Sequence, residues 1–344
     1  MQATTANPGT TGGMREDLRN DITILEPEET PYTSLVDKTS NAAAMLTEVQ
    51  GDRLRAPRTT GFREGNPTGS GGNREVRRAR FGVFQHFAQD EWSVTHHQQI
   101  ISQRGGIAGV PNAADRDMAQ TEAAVKRDIE SVNCSALETL DGAGGSAAMQ
   151  TRGGFKWLTP AGTALTPTVP DDFRIPAAAV LTHGAAGGIL FTEDQLANLI
   201  KDGLKPVHGG KRRFTVIGGN NVVNTIDHFS RIVSASVIAN PATAQMYTVR
   251  QGADELTLRL MVNLYETSFG TLEMMSTEFN QITAAGVGDP NSALVLFLEL
   301  WELDMLEDLN EAEHWEHASF EGGVIQATWA NRCLSPRGNG KIIQ

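Results

Sequence analysis

Gly142-Ala143-Gly144-Gly145-Ser146-Ala147 has the Gly-x-Gly-x-x-Gly/Ala spelling of a loop that cradles a dinucleotide pyrophosphate. That chemistry needs a strand before the glycines and a helix N-terminus after them. Here the glycines follow a long helical pattern, so the spacing reads as a connector that closes a helix. Gly210-Lys211-Arg212 and Gly340-Lys341-Ile342 lack the upstream glycine and the following Ser or Thr of a phosphate loop. His314 and His317, flanked by Glu313 and Glu316, have a spacing of three, not the four of the helical zinc-protease pair, and no third ligand accompanies them. They read as an acidic, water-facing helix end, and His96-His97 as a pair at a strand end. Cys134 and Cys333 have no base nearby in sequence and read as buried thiols, too few for a disulfide framework. The expectation is no catalytic residue, no cofactor and no metal. A nucleotide-dependent α/β enzyme, the alternative from another class, rests on Gly142–Ala147 alone.

With 344 residues the chain can bury one large core or two modest ones. Glycine is abundant and clustered at Gly9–Gly13, Gly61–Gly72, Gly142–Gly154 and Gly184–Gly188, which reads as loops and hinges. No run approaches the ~20 apolar residues of a membrane helix, and no signal-peptide pattern opens the chain, so cytosolic synthesis and no membrane partner are expected. A formal charge of −12 argues against a protein that wraps nucleic acid, since phosphate binding needs clustered Lys and Arg.

Charge is segregated along the chain. Arg53, Arg55, Arg58, Arg63, Arg74, Arg77, Arg78 and Arg80 face only Asp52, Glu64 and Glu75 in their stretch. From Glu299 to Glu321 there are many carboxylates, Glu302, Glu307, Asp308 and Glu311 among them, and no Lys or Arg. Two surfaces of opposite sign that meet across subunits would supply register and orientation.

The elements that would carry these surfaces follow from pattern. Residues 61–73 are rich in turn-formers, and Val76, Ala79, Phe81 and Val83 alternate after them, which predicts a long hairpin. Met118, Val125, Ile129, Val132, Ala136 and Leu140 predict a helix over Asn112–Leu140, capped by Asn112 or Asp115, ended by Gly142 and ~40 Å long. Helices are expected at Phe191–Leu204 and Asn221–Phe229. Strands are expected at Phe214–Ile217, Tyr247–Val249, Leu256–Leu264 and Leu294–Leu300, with a helix and turn over 299–316.

Proline-punctuated Asp21-Ile22-Thr23-Ile24-Leu25-Glu26-Pro27-Glu28-Glu29-Thr30-Pro31 reads as an extended arm, because each proline removes a donor and restrains its predecessor. It resembles the N-terminal arm of tailed-phage major capsid proteins with the Hong Kong 97-type fold. Lys126-Arg127-Asp128-Ile129-Glu130, Gly153-Gly154-Phe155-Lys156-Trp157-Leu158, Thr192-Glu193-Asp194-Gln195-Leu196, Gly209-Gly210 and Tyr265-Glu266-Thr267-Ser268-Phe269-Gly270 follow in the family's order. The C-terminal end departs from that pattern at His317–Gly322 and Trp329-Ala330.

The resemblance implies an α+β fold with an arm (1–45), an extended loop (46–90), a peripheral domain (91–152 and 293–344) with a long spine helix, and an axial domain (153–292). It implies a virion shell of pentamers and hexamers around double-stranded DNA. Copies of the chain itself would be its partners, with scaffold, portal or decoration proteins in addition. A cellular nanocompartment shell shares the fold and stands as the alternative. Some members join a loop lysine to a neighbour's asparagine; residues 46–90 contain no lysine, and arginine cannot act as that nucleophile.

Overall fold

The computed structural model describes residues 30–40, 42–53, 64, 77–105, 112–142, 148–184, 188–239, 264–281, 288–317 and 319–344. The chain enters through α1 (Pro31–Leu35), whose proline at the first position presets the helical φ. β1 (Asp37–Thr39) follows, then a hairpin of β2 (Leu46–Arg53) and β3 (Arg77–Phe84), paired from Leu46↔Phe84 to Arg53↔Arg77. Its inward residues Val49, Phe81 and Val83 are buried. The predicted hairpin is therefore present, and its 61–73 tip lies outside the described residues except for the exposed turn residue Glu64.

β4 (His86–Thr95) leads directly into α2 (His96–Gly105), so His96 and His97 open a helix immediately after the strand end. α3 (Ala113–Asn133) is the predicted spine, capped by Asn112, whose side chain accepts from the Asp115 amide at 2.7 Å. It is shorter than expected, at about 30 Å. Ser135 ends it: its hydroxyl donates to Val132 O and its carbonyl accepts the Phe155 amide, which turns the chain away before Ala136 and Leu140. Gly142, in the left-handed region at φ 63°, does not end a helix. It follows β5 (Leu140–Asp141), which pairs antiparallel with β6 (Met149–Gln150). The glycine-rich spelling thus falls between two paired strands, and the next described element is β6 and not a helix. Residues 143–147 lie outside the described residues.

After α4 (Gly154–Trp157) and the short β7 (Val180–Thr182) comes α5 (Glu193–Asn198), with a reciprocal Thr192–Gln195 capping box. It continues through a π turn at Leu199–Leu204 into α6 (Lys205–His208), closed by Gly209 at φ 69°. β8 (Arg212–Gly218) contains the predicted buried strand, and α7 (Asn220–Ala239) extends the predicted helix by ten residues at its C-terminal end. The strands expected at Tyr247–Val249 and within 256–263 lie outside the described residues. β9 (Leu264–Glu266), β10 (Gly270–Ser276) and β11 (Ala293–Leu296) complete this part of the chain.

Two corrections concern the end of the chain. The apolar run Leu294–Leu300 is a strand only to Leu296. Asn339 Oδ1 then accepts from the Phe297 amide at 2.8 Å and Trp301 Nε1 at 2.9 Å, fixing a 3-10 turn at Leu298–Leu300. The 299–316 stretch is no helix: β12 (Trp301–Glu316) pairs antiparallel with β13 (Phe320–Cys333), and the chain closes with β14 (Gly340–Ile343). Register shifts between Met305 and Glu307, Glu307 and Asn310, and Glu311 and Glu313 break the alternation, so Leu306 and Leu309 take a spacing that imitates a helix.

Two sheets organise the fold. The four-stranded sheet runs β1-β12-β13-β4, with α3 packed on it; the six-stranded sheet runs β7-β14-β11-β8-β10-β9. β11 and β14 pair in the second sheet with strands from 153–292, so the chain crosses between the sheets at Trp301 and again after Cys333. Trp157, Trp301 and Trp329 are among the largest fully buried side chains of the core.

Candidate inter-subunit surfaces

The root of the arm is fastened by a buried carboxylate. Glu130, on the helical face that also carries buried Ile129, accepts from the Tyr32 amide at 2.7 Å, the Thr33 amide at 2.8 Å and the Thr33 hydroxyl at 2.6 Å. It therefore caps α1 from a different part of the chain, using the first-turn amides a short helix leaves unpaired. Burial pushes the Glu130 carboxyl up, and these hydrogen bonds hold it partly back. Tyr32 Oη donates to Asn331 Oδ1 at 2.7 Å, and its ring meets Trp301 edge-on at 6.1 Å. β1 then lies parallel on Glu302–Asp304 of β12. Beside this anchor a groove of about 250 Å³ runs between Thr33, Lys38, Ile129 and Met305, with Asp308 on its rim.

The hairpin carries the arginines. Arg78 donates from Nε and Nη2 to both Asp52 oxygens, at 3.0 and 3.3 Å, which raises the Arg78 pKa; Arg80 lies 3.3 Å from Glu48. These pairs are exposed, so they add little to the fold and leave the faces available. Arg53 and Arg77 occupy directly opposed register positions. Arg55, Arg58, Arg63 and Arg74 lie outside the described residues. The hairpin base is fixed by Phe81, packed against Phe173 at 5.7 Å and Trp157 at 6.2 Å. Gly51 sits where a Cβ would come within 2.6 Å of the Phe173 ring.

The carboxylates line β12. Glu302 lies 3.3 Å from Arg332 of β13 and is half-buried. Glu307 accepts from Gln326 at 2.8 Å and Asn310 at 3.2 Å, Glu311 lies 3.0 Å from His314 Nδ1, and Asp308 is exposed. The structure thus brings these acidic residues onto one strand, and the described hairpin arginines Arg78 and Arg80 pair with Asp52 and Glu48 of their own hairpin. Sequence reading missed the Glu130 anchor. Its one local signal is a carboxylate beside Ile129 on the apolar face of the helix.

No three His, Cys, Asp or Glu side chains among the described residues are grouped to hold a metal ion. Cys134 and Cys333 are both fully buried, and burial pushes both thiols well up. No described helix is long and apolar enough to cross a membrane.

A long helix on a four-stranded sheet, a basic hairpin and a second, six-stranded sheet completed by β11 and β14 make up a tailed-phage capsid fold. The cyanophage A-1(L) capsid asymmetric unit matches with a TM-score of 0.64 at 11% identity, covering 100% of this chain and 99% of that one. A chain from the capsid of a native GTA particle matches at 0.57 with 8% identity, covering 99% of this chain and 98% of that one. One from Gordonia phage Cozz matches at 0.55 with 10% identity, covering 98% and 94%. No curated protein matches the chain. The model of the SU10 major capsid protein family matches residues 2–344, and the chain belongs to that family. It is a structural component of a phage virion; neither the nanocompartment nor the nucleotide-enzyme reading is favoured.

Proposed function

We propose that copies of this chain form pentamers and hexamers that close into an icosahedral shell around double-stranded phage DNA. The family match over residues 2–344 carries this reading. Closed heterologous contacts make rings, and rings tile a shell. In this arrangement residues 1–45 are the arm, 46–90 the extended loop, 91–152 with 293–344 the peripheral domain, and 153–292 the axial domain, whose sheet β11 and β14 complete. The basic hairpin of one copy lies on the acidic face of β12 in the next. The segregation of the arginines on one stretch and the carboxylates on β12 supports that docking, because complementary charge supplies register and orientation. The net charge of −12 suits a wall that contains DNA without gripping it. The chain is made in the host cytoplasm, performs no catalysis, and meets scaffold, portal and decoration proteins on its way to the virion.

Expression of the chain followed by negative-stain microscopy tests the reading. Closed particles or capsomer rings are the expected result. A chain that stays monomeric across protein concentration, salt and pH, with or without its neighbouring structural proteins, refutes it.

A further inference from the structure

Arg152 is fully enclosed although it carries a permanent charge. Its Nε donates to Glu138 Oε1 at 2.7 Å and its Nη2 to Pro167 O at 2.9 Å, while the guanidinium lies 4.5 Å over the Trp157 ring. Nη1 is buried and has no acceptor among the described residues. A guanidinium has five N–H donors, and the two on Nη1 are left unused. The backbone of the same residue is fixed, because Arg152 O accepts from Asn331 Nδ2 of β13 at 3.2 Å.

Other cations stand close. Arg174 is buried too, with Nε donating to Val169 O at 2.8 Å and Nη1 to Thr163 O. The two arginines thus hold one loop, at Thr163, Pro167 and Val169. Lys156 Nζ lies 3.5 Å from the second Glu138 oxygen, and Lys341, also buried, donates to Phe155 O at 3.2 Å. Burial pulls the Arg152 pKa down; Glu138 opposes this and Arg174 adds to it. Burial, and then Lys156, push Lys341 down to about 8. Among the described residues, the carboxylates in ion-pair contact with these four cations are half-buried Glu138 and exposed Asp171, 3.5 Å from Arg174. Asp172 and Arg337, joined through the Asp172 carbonyl at 2.9 Å, add one charge of each sign.

A single water can accept from Nη1, but it leaves the excess of positive charge uncompensated, and buried charge is ordinarily paired. An oxyanion supplies acceptor and charge together, and the planar fork of arginine matches two of its oxygens. The 161–168 stretch is mostly exposed, and Glu138 and Lys156 are half-buried, so the cluster lies close to solvent. We infer that Arg152 Nη1 marks a binding site for a small inorganic oxyanion of the phosphate class, with Lys156 at its mouth and Arg174 lending charge. Bound there, the anion ties the 163–169 loop to Arg152 and, through Arg152 O, to β13.

Such a site does not depend on how copies assemble, so the purified, unassembled full chain serves for the test. Calorimetric titration with inorganic phosphate at neutral pH, against sodium chloride of matched ionic strength, should show a single saturable site per chain. The melting temperature should rise by ~2 °C toward saturation and then level, unlike the steady rise produced by exclusion of phosphate from the protein surface. Arg152→Lys, which keeps the charge and loses the fork, should bind about tenfold more weakly, and Arg152→Gln should not bind. If neither variant folds by circular dichroism, Lys156→Ala should fold and bind severalfold more weakly. No saturable heat and no levelling rise in the wild-type chain overturns the proposal outright. Unchanged binding in Arg152→Gln, or in Lys156→Ala where the arginine variants do not fold, overturns it too, because the anion then sits elsewhere.

Discussion

Replacing Glu130 with alanine removes the acceptor of two backbone amides and one hydroxyl at the root of the arm. A buried donor left without a partner costs about 1–3 kcal/mol, so the Tyr32 and Thr33 amides together lose ~4 kcal/mol. The half-buried Thr33 hydroxyl can turn to water. Against this stands relief of the carboxylate's own desolvation, which shows as its raised pKa and offsets part of that loss. The net loss is about 3 kcal/mol, whereas Glu130→Gln, which keeps one acceptor oxygen, should lose about 1 kcal/mol. Urea unfolding of the unassembled chain gives both values, and hydrogen exchange at Tyr32 and Thr33 localises the effect. The pH dependence has a definite sign. Because the folded value is raised, the titration contributes stability that is full below the ordinary carboxylate range and is lost as pH rises through the folded value. The advantage of Glu130 over glutamine therefore narrows from acid toward neutrality. A loss below about 1 kcal/mol in the alanine variant, or unchanged exchange at both amides, refutes the anchor.

His86 should lose stability in acid: burial pushes it down to about 4, so its contribution is full above about pH 6.5 and is lost as pH falls toward 4. The limit is about 3 kcal/mol, reduced to about 2 by its partial exposure, and a His86→Gln variant should show a flatter acid limb in pH-dependent unfolding. Reversing Arg74, Arg77 and Arg78 to Glu should abolish assembly, judged by sedimentation, while circular dichroism stays that of the folded chain; normal particle yield would exclude these charges from the contact. Gly51→Leu should drive a side chain into Phe173 and cost about 1–3 kcal/mol, read by thermal melting. Boiled and reduced particles should run as a single band near 37.1 kDa, since residues 46–90 offer no lysine for a cross-link; a ladder would show that the bond forms elsewhere.

Local pattern carried the hairpin and the Asn112 cap, because each is decided within a few residues. It failed on β12, where three register shifts displaced the period of two, and on the spine's end, which Ser135 sets through contacts with residues 153–155 and 281. Of the candidate surfaces, the charge segregation was visible in composition, and the structure set the acidic part on one bulged strand. The Glu130 anchor was not legible, since its partners stand 97 and 98 positions away and no periodicity reports a pairing of that reach.

The site that receives the arm root is made late. Glu130 comes from the first half of the chain, but Trp301 and Asn331, which close on Tyr32, belong to strands at the far end. On a ribosome, the segment that leaves first must wait until residues beyond 331 are out before its place exists. Contacts of such sequence separation are slow to form, since the closure entropy is lost before any contact compensates. The order of synthesis and the order of folding therefore run in opposite directions for this segment. An incomplete chain has a loose arm, and seating of residues 30–39 marks a molecule whose last strands are in place.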